Sequence, residues 1–139
     1  MSERAQFSVA NRITALTDAL ERVEQFAARQ GVPEAARRAL MLALEESLAN
    51  IIAHGRPDHH DHDIHIAVET GEREVCLEVT DSGVPFDPRT FPAPDLSQSL
   101  EERQPGGMGV WLIRQMMDEI DYRRDGDCNR LRLVKRWSC

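Results

Sequence analysis

The sequence predicts an α+β fold, a two-layer sandwich in which helices cover one face of a mostly antiparallel sheet. Two pairs of segments with alternating apolar and polar residues, each pair joined by a short turn, indicate β-hairpins. Three segments with apolar residues three or four positions apart indicate amphipathic helices, and each of these needs a surface to cover. No linker or internal repeat divides the 139 residues, so a single domain spanning 1–139 is expected.

The first 54 residues supply one strand and two helices. "AQFSVA" is a short strand, and helical spacing predicts a helix from Ile13 to about Gln30. Gly31 ends this helix. Pro33 opens a second helix, because proline suits a first turn, and "HGRP" stops it at about His54.

The second half begins with "DIHIAVETGEREVCLEVTD", a hairpin that turns between Thr70 and Glu74. A stretch with five prolines and little periodicity follows Asp81, and we interpret residues 84–106 as a lid. "GGMGVWLIRQMMDEI" then predicts a helix and "DYRRDGDCNRLRLVKRW" a final hairpin, which turns near residues 125–127. The apolar residues at helical spacing in the first of these segments are Val110, Ile113, Met117 and Ile120.

Composition excludes several classes of protein. A formal net charge of −7 argues against direct nucleic-acid binding, which needs a basic surface. No apolar run approaches the roughly 20 residues that cross a bilayer, and the N-terminus lacks the apolar stretch of a secretory signal. Three cysteines, an odd number without CxxC spacing, indicate a reduced protein. We therefore expect a cytoplasmic protein without a membrane partner.

Glu46 and Asn50 share one face of the second helix, about 40° apart at 100° per residue, and they point away from the predicted core stripe. The pair could be solvated surface. However, Ala39, Leu42 and Ala43 flank it where an open surface usually shows charged residues, so something is expected to cover this face. A carboxylate and an amide oxygen suit Mg²⁺, or a base beside a metal-bound phosphate.

Two further motifs carry candidate binding residues. In "VTDSGVPFDP" a strand ends at Asp81, whose carboxylate could accept a bond from an exocyclic amine such as that of adenine, while Gly83 lets a ligand approach the backbone. Asp-Ser-Gly is equally suited to a plain turn. In "PGGMGVWLIRQM" glycines precede a helix, whose free N–H groups and dipole favour an anion. A flexible hinge is the alternative there.

Five histidines cluster around "HGRPDHHDHDIH", residues 54–65. Their spacing matches no closed zinc pattern and no cysteine is near in sequence. A solvated loop is the simplest interpretation, and a metal-binding module remains an alternative.

The order "EESLAN", "DSGVPFD", lid, "GGMGVWLI" resembles the Bergerat-fold ATPases, the histidine-kinase-like superfamily. The short length and the "FDP" after the first glycine box are similar to bacterial anti-sigma factor serine/threonine kinases of partner-switching systems. The resemblance covers nearly the whole chain, to "NRLRLVKR". It implies ATP and Mg²⁺ as ligands.

The resemblance also assigns roles to residues. Glu46 matches the acidic residue that activates the attacking hydroxyl, and Asn50 the Mg²⁺ ligand. Asp81 matches the adenine-binding aspartate and Gly83 the glycine beside it. The second glycine box, which holds the phosphates, corresponds to Gly107, Met108 and Gly109. Asn129 lies near a family threonine or asparagine that completes the adenine pocket, and His54 stands where the family often has histidine.

One departure concerns an arginine that often precedes the second glycine box in the family kinases and reaches the terminal phosphate. Gln104 and Pro105 occupy that place here, and the nearest candidates are Arg103 and Arg89. The departure bears on phosphoryl transfer more than on nucleotide binding.

The resemblance implies a kinase that phosphorylates an anti-sigma factor antagonist of the STAS type, with a sigma factor as second client and a homodimer as the expected assembly. One alternative is an ATP-dependent binding switch without kinase activity. Another is the detached catalytic domain of a histidine kinase, although the first helix carries no phosphoacceptor histidine.

Overall fold

The computed structural model describes residues 2–54, 63–90, 97 and 107–138. Across these residues a five-stranded antiparallel sheet carries three α-helices, which confirms the predicted α+β sandwich. Short 3-10 helices cover Ile13–Ala15 and Pro88–Thr90. The strands are β1 (Glu3–Ala10), β2 (Asp63–Gly71), β3 (Glu74–Asp81), β4 (Glu119–Asp125) and β5 (Cys128–Arg136), and the helices are α1 (Leu16–Arg29), α2 (Glu34–His54) and α3 (Gly107–Met116).

The strand order is β1-β2-β3-β5-β4, so the last strand of the chain lies between β3 and β4. In this register Asp81 of β3 is opposite Asn129 of β5, and Asn129 is opposite Arg124 of β4. Antiparallel partners that stand opposite each other direct their side chains to the same face. Strand pairing therefore aligns three residues that are distant in sequence.

Alternation along β3 directs Asp81 toward the helices. Val75, Leu77, Val79 and Asp81 are buried, and the residues between them are half-buried. Successive side chains of a strand point to opposite faces, so Asp81 continues the row that packs under the helices. A carboxylate thus stands at the end of an apolar row.

Helix α2 packs between α1 and α3 and over β3 and β5. Ala39 and Ala43, beside the polar pair, are 1% and 0% exposed, which confirms that this side of α2 is covered. The predicted core stripe of α2 contacts the core along its length. Its members are either buried (Leu40, Leu44 and Leu48) or half-buried against the core (Met41, Ile51 and Ile52). Two neighbouring helices also enclose the small residues, so the buried arc extends toward Glu46.

The helix ends follow local chemistry. Gly31 has φ +78° and the Val32 N–H donates to the Ala27 carbonyl at 3.0 Å, a left-handed cap of α1. Helix α3 ends earlier than its apolar spacing predicted, since Ile120 belongs to β4. The Asp118 N–H already donates to the Val134 carbonyl of β5 at 2.8 Å, so the chain has joined the sheet by then.

Of the predicted lid, residues 84–90 and 97 are described. The rest of it, with Arg103 and Pro105, lies outside the described residues, as do residues 55–62 of the histidine segment. Among the helices that are described, none is long and apolar enough to cross a membrane.

Candidate functional site

A pocket opens between α2, α3 and the β3–β5–β4 side of the sheet. It contains about 520 Å³ of free space, part of which is open solvent. Apolar side chains form most of its wall, and a few polar groups interrupt them. The lining residues are Ser47, Asn50, Ile51, Val79, Asp81, Val84, Phe86, Pro88, Ile113, Tyr122, Asn129 and Leu131.

Asp81 presents a fixed carboxylate to this pocket. The side chain is 5% exposed, and its Oδ2 accepts the Gly83 N–H at 2.8 Å and the Asn129 Nδ2 at 3.3 Å. The first bond closes an Asx turn, which is why Asp-Ser-Gly follows the strand. Both bonds end on Oδ2, so Oδ1 can accept a donor from a ligand.

Asn129 ties the pocket wall together. Its Nδ2 donates to the Val84 carbonyl at 2.9 Å, and its Oδ1 accepts the Tyr122 hydroxyl. The amide is therefore committed to protein partners on both sides. This arrangement supports the Asp81 turn, and it gives Asn129 a positioning role in the pocket.

Arg124 fixes the same turn from β4. Its guanidinium donates to the Gly83 carbonyl at 2.6 Å and to the Gly126 carbonyl at 3.1 Å. Asn129 thus holds Val84, and Arg124 holds Gly83. Side chains of β4 and β5 therefore hold the turn after β3 by hydrogen bonds.

Glu46 lies against the first turn of α3. A Cβ built on Gly109 would overlap its Oε2 and would lie 3.0 Å from its Cδ. Burial, and then the charge of the neighbouring Glu45, raise the pKa of Glu46 above its ordinary value. The structure therefore brings the predicted base and the second glycine box into contact.

Asn50 and the first turn of α3 fit a phosphate and its metal. Helix α3 begins at Gly107, so its free N–H groups and dipole can bind an anion. Asn50 lines the pocket and offers an amide oxygen, a ligand that Mg²⁺ accepts when phosphates supply other oxygens. Within the described ranges, no group of three His, Cys, Asp or Glu side chains is placed to hold a metal alone.

The histidine segment is described only in part. His65 of β2 is exposed, and its Nδ1 lies 3.0 Å from the Ser8 hydroxyl of β1 on the sheet face away from the helices. The histidines at 59, 60 and 62 lie outside the described residues. The interpretation of this segment as a solvated loop, and metal binding as its alternative, both stay predictions.

Sequence reasoning missed three polar residues of the site: Ser47, Tyr122 and Arg124. Ser47 lies between Glu46 and Asn50 in "EESLAN", and the motif assigns roles only to those two residues. The other two alternate with exposed charges on β4, and a period-2 pattern would have directed them inward with Ile120. Their partners, however, are set by the strand order.

Comparisons with known proteins agree with this geometry. Residues 9–135 match the family model for the histidine kinase-like ATPase domain. The serine/threonine-protein kinase BtrW of Bordetella bronchiseptica is 37% identical over 121 residues, which are 87% of this chain and 85% of that protein. The serine-protein kinase RsbW of Listeria monocytogenes is 28% identical over 98 residues, 68% of this chain and 62% of that protein.

A solved structure, that of the RsbU and RsbW domains of Rv1364c from Mycobacterium tuberculosis, superposes with a TM-score of 0.70 at 15% identity. The match covers 96% of this chain and 32% of that one, and at this identity it shows the fold. The family model spans nearly the whole sequence, from β1 into β5. The chain therefore belongs to the histidine kinase-like ATPase family, with BtrW and RsbW kinases among its relatives.

Proposed function

We propose that the protein binds ATP with Mg²⁺ and transfers the terminal phosphate to a serine or threonine of an anti-sigma factor antagonist of the STAS type. The observation that supports this most is the contact between Glu46 and the first turn of α3, beside the pocket that contains Asp81. Two relatives, BtrW and RsbW, are named as kinases of serine or threonine.

Asp81 recognises the adenine ring of the nucleotide. Its Oδ1 accepts the exocyclic amine of adenine, while apolar residues on either side contact the faces of the ring. Val79, Ile113 and Leu131 are available for these contacts. Because Gly83 and Asn129 already hold Oδ2, the carboxylate needs no reorganisation when the base enters.

The start of α3 holds the phosphates. The backbone of Gly107, Met108 and Gly109 lies in the first turn, where free N–H groups point at an anion. Asn50 would hold Mg²⁺, which neutralises charge on the phosphates as the bond breaks. Positioning and charge neutralisation are the main requirements of phosphoryl transfer.

Glu46 acts as the general base of the transfer reaction. It orients the substrate hydroxyl and accepts its proton as the oxygen attacks phosphorus. A raised pKa suits this role, since a more basic carboxylate takes a proton more readily at neutral pH. Glu46 contacts the first turn of α3, so its carboxylate lies near the phosphate that α3 would bind.

The finer biology follows from the family resemblance. The expected clients are the antagonist and a sigma factor, and the expected form is a cytoplasmic homodimer. Bound nucleotide would decide which client is held, and phosphorylation of the antagonist would end its binding.

Calorimetry with ATP and ADP tests the nucleotide site. Asp81→Asn should weaken ADP binding by about tenfold or more, since it places an amide where the amine needs an acceptor. Glu78→Gln is the matched control, because Glu78 lies on β3, is half-buried, and pairs with Arg130 on the other face of the sheet. If the wild type binds neither nucleotide, the proposal is wrong.

Phosphoryl transfer needs a separate test. The protein, ATP·Mg²⁺ and a STAS-type antagonist are incubated together, and the antagonist is analysed by mass spectrometry. A gain of one phosphate supports the kinase. ATP-dependent binding of the antagonist or a sigma factor without this gain supports the alternative, a binding switch without kinase activity.

A further inference from the structure

Ser47 carries a buried hydroxyl that is unpaired among the described residues. The residue is 3% exposed, and its Oγ has no hydrogen-bond partner in the part of the chain that the structure describes. A serine inside a helix usually faces water or bonds back to a carbonyl one turn earlier. Ser47 does neither, and its side chain lines the pocket.

Two other polar side chains of the pocket already bond to the protein. Asn129 donates to Val84 and accepts from Tyr122, and Asp81 uses Oδ2 for the Gly83 turn. Oδ1 of Asp81, which only accepts, and the hydroxyl of Ser47, which can donate, are therefore candidates to bind a ligand in this pocket.

The shape of a purine nucleotide decides what these groups would meet. The sugar is attached at N9, so N9 would face the phosphates that Asn50 and α3 hold. The opposite edge of adenine, which carries the exocyclic amine and N1, would then face away from the phosphates, toward the side chain of Asp81. That edge presents a donor beside an acceptor, which complements a carboxylate beside a hydroxyl.

We propose that Ser47 is a second base-recognition residue, whose hydroxyl donates to N1 of the adenine that Asp81 holds by its amine, directly or through one water between them. The inference rests on the proposed nucleotide site and adds a specificity determinant to it. Guanine is rejected by Asp81, because its carbonyl oxygen would face the carboxylate. Ser47 adds affinity for a purine with an unprotonated N1.

The test measures binding of ADP and 1-deaza-ADP, which lacks the N1 acceptor, to the wild type and Ser47→Ala by calorimetry. Ser47→Ala should weaken ADP binding about five- to tenfold, the size expected for one hydrogen bond. The wild type should bind 1-deaza-ADP more weakly by a similar factor, and Ser47→Ala should not weaken it further. Ser8→Ala is the matched control, since it removes a hydroxyl on the far face of the sheet.

A thermal melt separates recognition from structure. Loss of an unpaired hydroxyl should leave the Tm of Ser47→Ala equal to or above that of the wild type. Equal losses for both nucleotides, or unchanged ADP affinity, would overturn the inference while the nucleotide site stands. If the wild type binds no ADP, the proposed function and this inference fall together.

Discussion

Glu46 of α2 and Gly109 of α3 approach so closely that no side chain fits between them. A Cβ at Gly109 would overlap Oε2 of Glu46 and lie 3.0 Å from its Cδ. Gly109 lies within a regular helix and has no positive φ, so the glycine serves close approach. The contact couples the proposed base to the helix that would hold the phosphates.

Gly109→Ala should therefore displace the Glu46 carboxylate. We expect transfer to the antagonist to fall by about tenfold or more, because small misplacement of a reacting group is costly. ADP affinity should fall less, since the adenine pocket keeps Asp81 and Asn129. Transfer rates from mass spectrometry and ADP binding from calorimetry measure the two effects.

Gly71→Ala is the control for Gly109→Ala. A Cβ there would lie 3.4 Å from Cγ of Glu74, an ordinary contact, and the residue is remote from the pocket. Adding Glu46→Asp to Gly109→Ala shortens the carboxylate, so stability lost to the clash should be partly restored in a double-mutant cycle. A Gly109→Ala protein with the wild-type rate would contradict the proposed contact.

Glu46→Gln should remove transfer and change stability with pH. We expect transfer to fall at least about 100-fold, the lower end of general-base effects, with ADP affinity unchanged. In the folded state burial raises the pKa of Glu46 above 4.5, so the folded protein retains this proton to higher pH than the unfolded chain. Ionisation of Glu46 therefore lowers the free energy of unfolding as pH rises through that range.

The consequence is a Tm for Glu46→Gln above that of the wild type at pH 7, with a difference that disappears as pH falls below 4.5. Melts between pH 4 and pH 8 measure it. Glu72→Gln is the control: Glu72 is exposed in the turn between β2 and β3, and loss of its charge should preserve transfer. A Tm difference that does not change with pH would show that Glu46 is not destabilised by burial.

Arg124→Ala should loosen the turn that carries Asp81 and Gly83. Its guanidinium bonds to the Gly83 carbonyl at 2.6 Å, and without it the turn depends on Asn129. We expect ADP affinity to fall about three- to tenfold, the value of a charge-assisted hydrogen bond acting indirectly. Arg123→Ala, one residue earlier on the opposite face of β4, should have no such effect, and equal losses would refute the argument.

Most of the fold could be predicted because local patterns and packing agree. Alternation of apolar and polar residues from Ile64 and from Val75 predicts two strands, which the structure contains. Glycine predicts the end of the first helix, because it readily adopts the positive φ that Gly31 has there. The end of α3 could not be predicted in this way. Met117 and Ile120 continue the helical spacing, but pairing of Asp118 with β5 takes the chain into the sheet. A long-range hydrogen bond overrides a local period there.

The candidate site could be predicted in part. Sequence motifs contain Asp81, Asn50 and Glu46. In the structure Asp81 and Asn50 line one pocket, and Glu46 contacts the first turn of α3. Ser47 has no role assigned by the motif that contains it, and Arg124 belongs to no motif. The partner of Arg124 depends on β5 lying between β3 and β4, which the order of elements along the chain does not determine.

Arg89 is a candidate for the missing lid arginine, and the structure gives it another partner. Its Nε and an Nη lie 3.0 and 2.9 Å from the Asp87 carboxylate, and a second Nη lies 3.5 Å from Asp121 of β4. The Arg89 side chain, through these bonds, lowers the pKa of Asp87. The guanidinium thus fastens the 3-10 turn after β3 to the sheet.

Arg89→Ala should accordingly leave transfer within about threefold of the wild type, as is usual for an exposed ion pair. Asp87→Asn removes the partner of Arg89 but should not raise the transfer rate, because we expect Arg89 not to contact the terminal phosphate. Glu46→Gln, assayed in parallel, shows that the measurement registers a true loss. A tenfold fall in transfer for Arg89→Ala with unchanged ADP binding would instead assign Arg89 to the terminal phosphate, and the turn would have to move for it to reach that place.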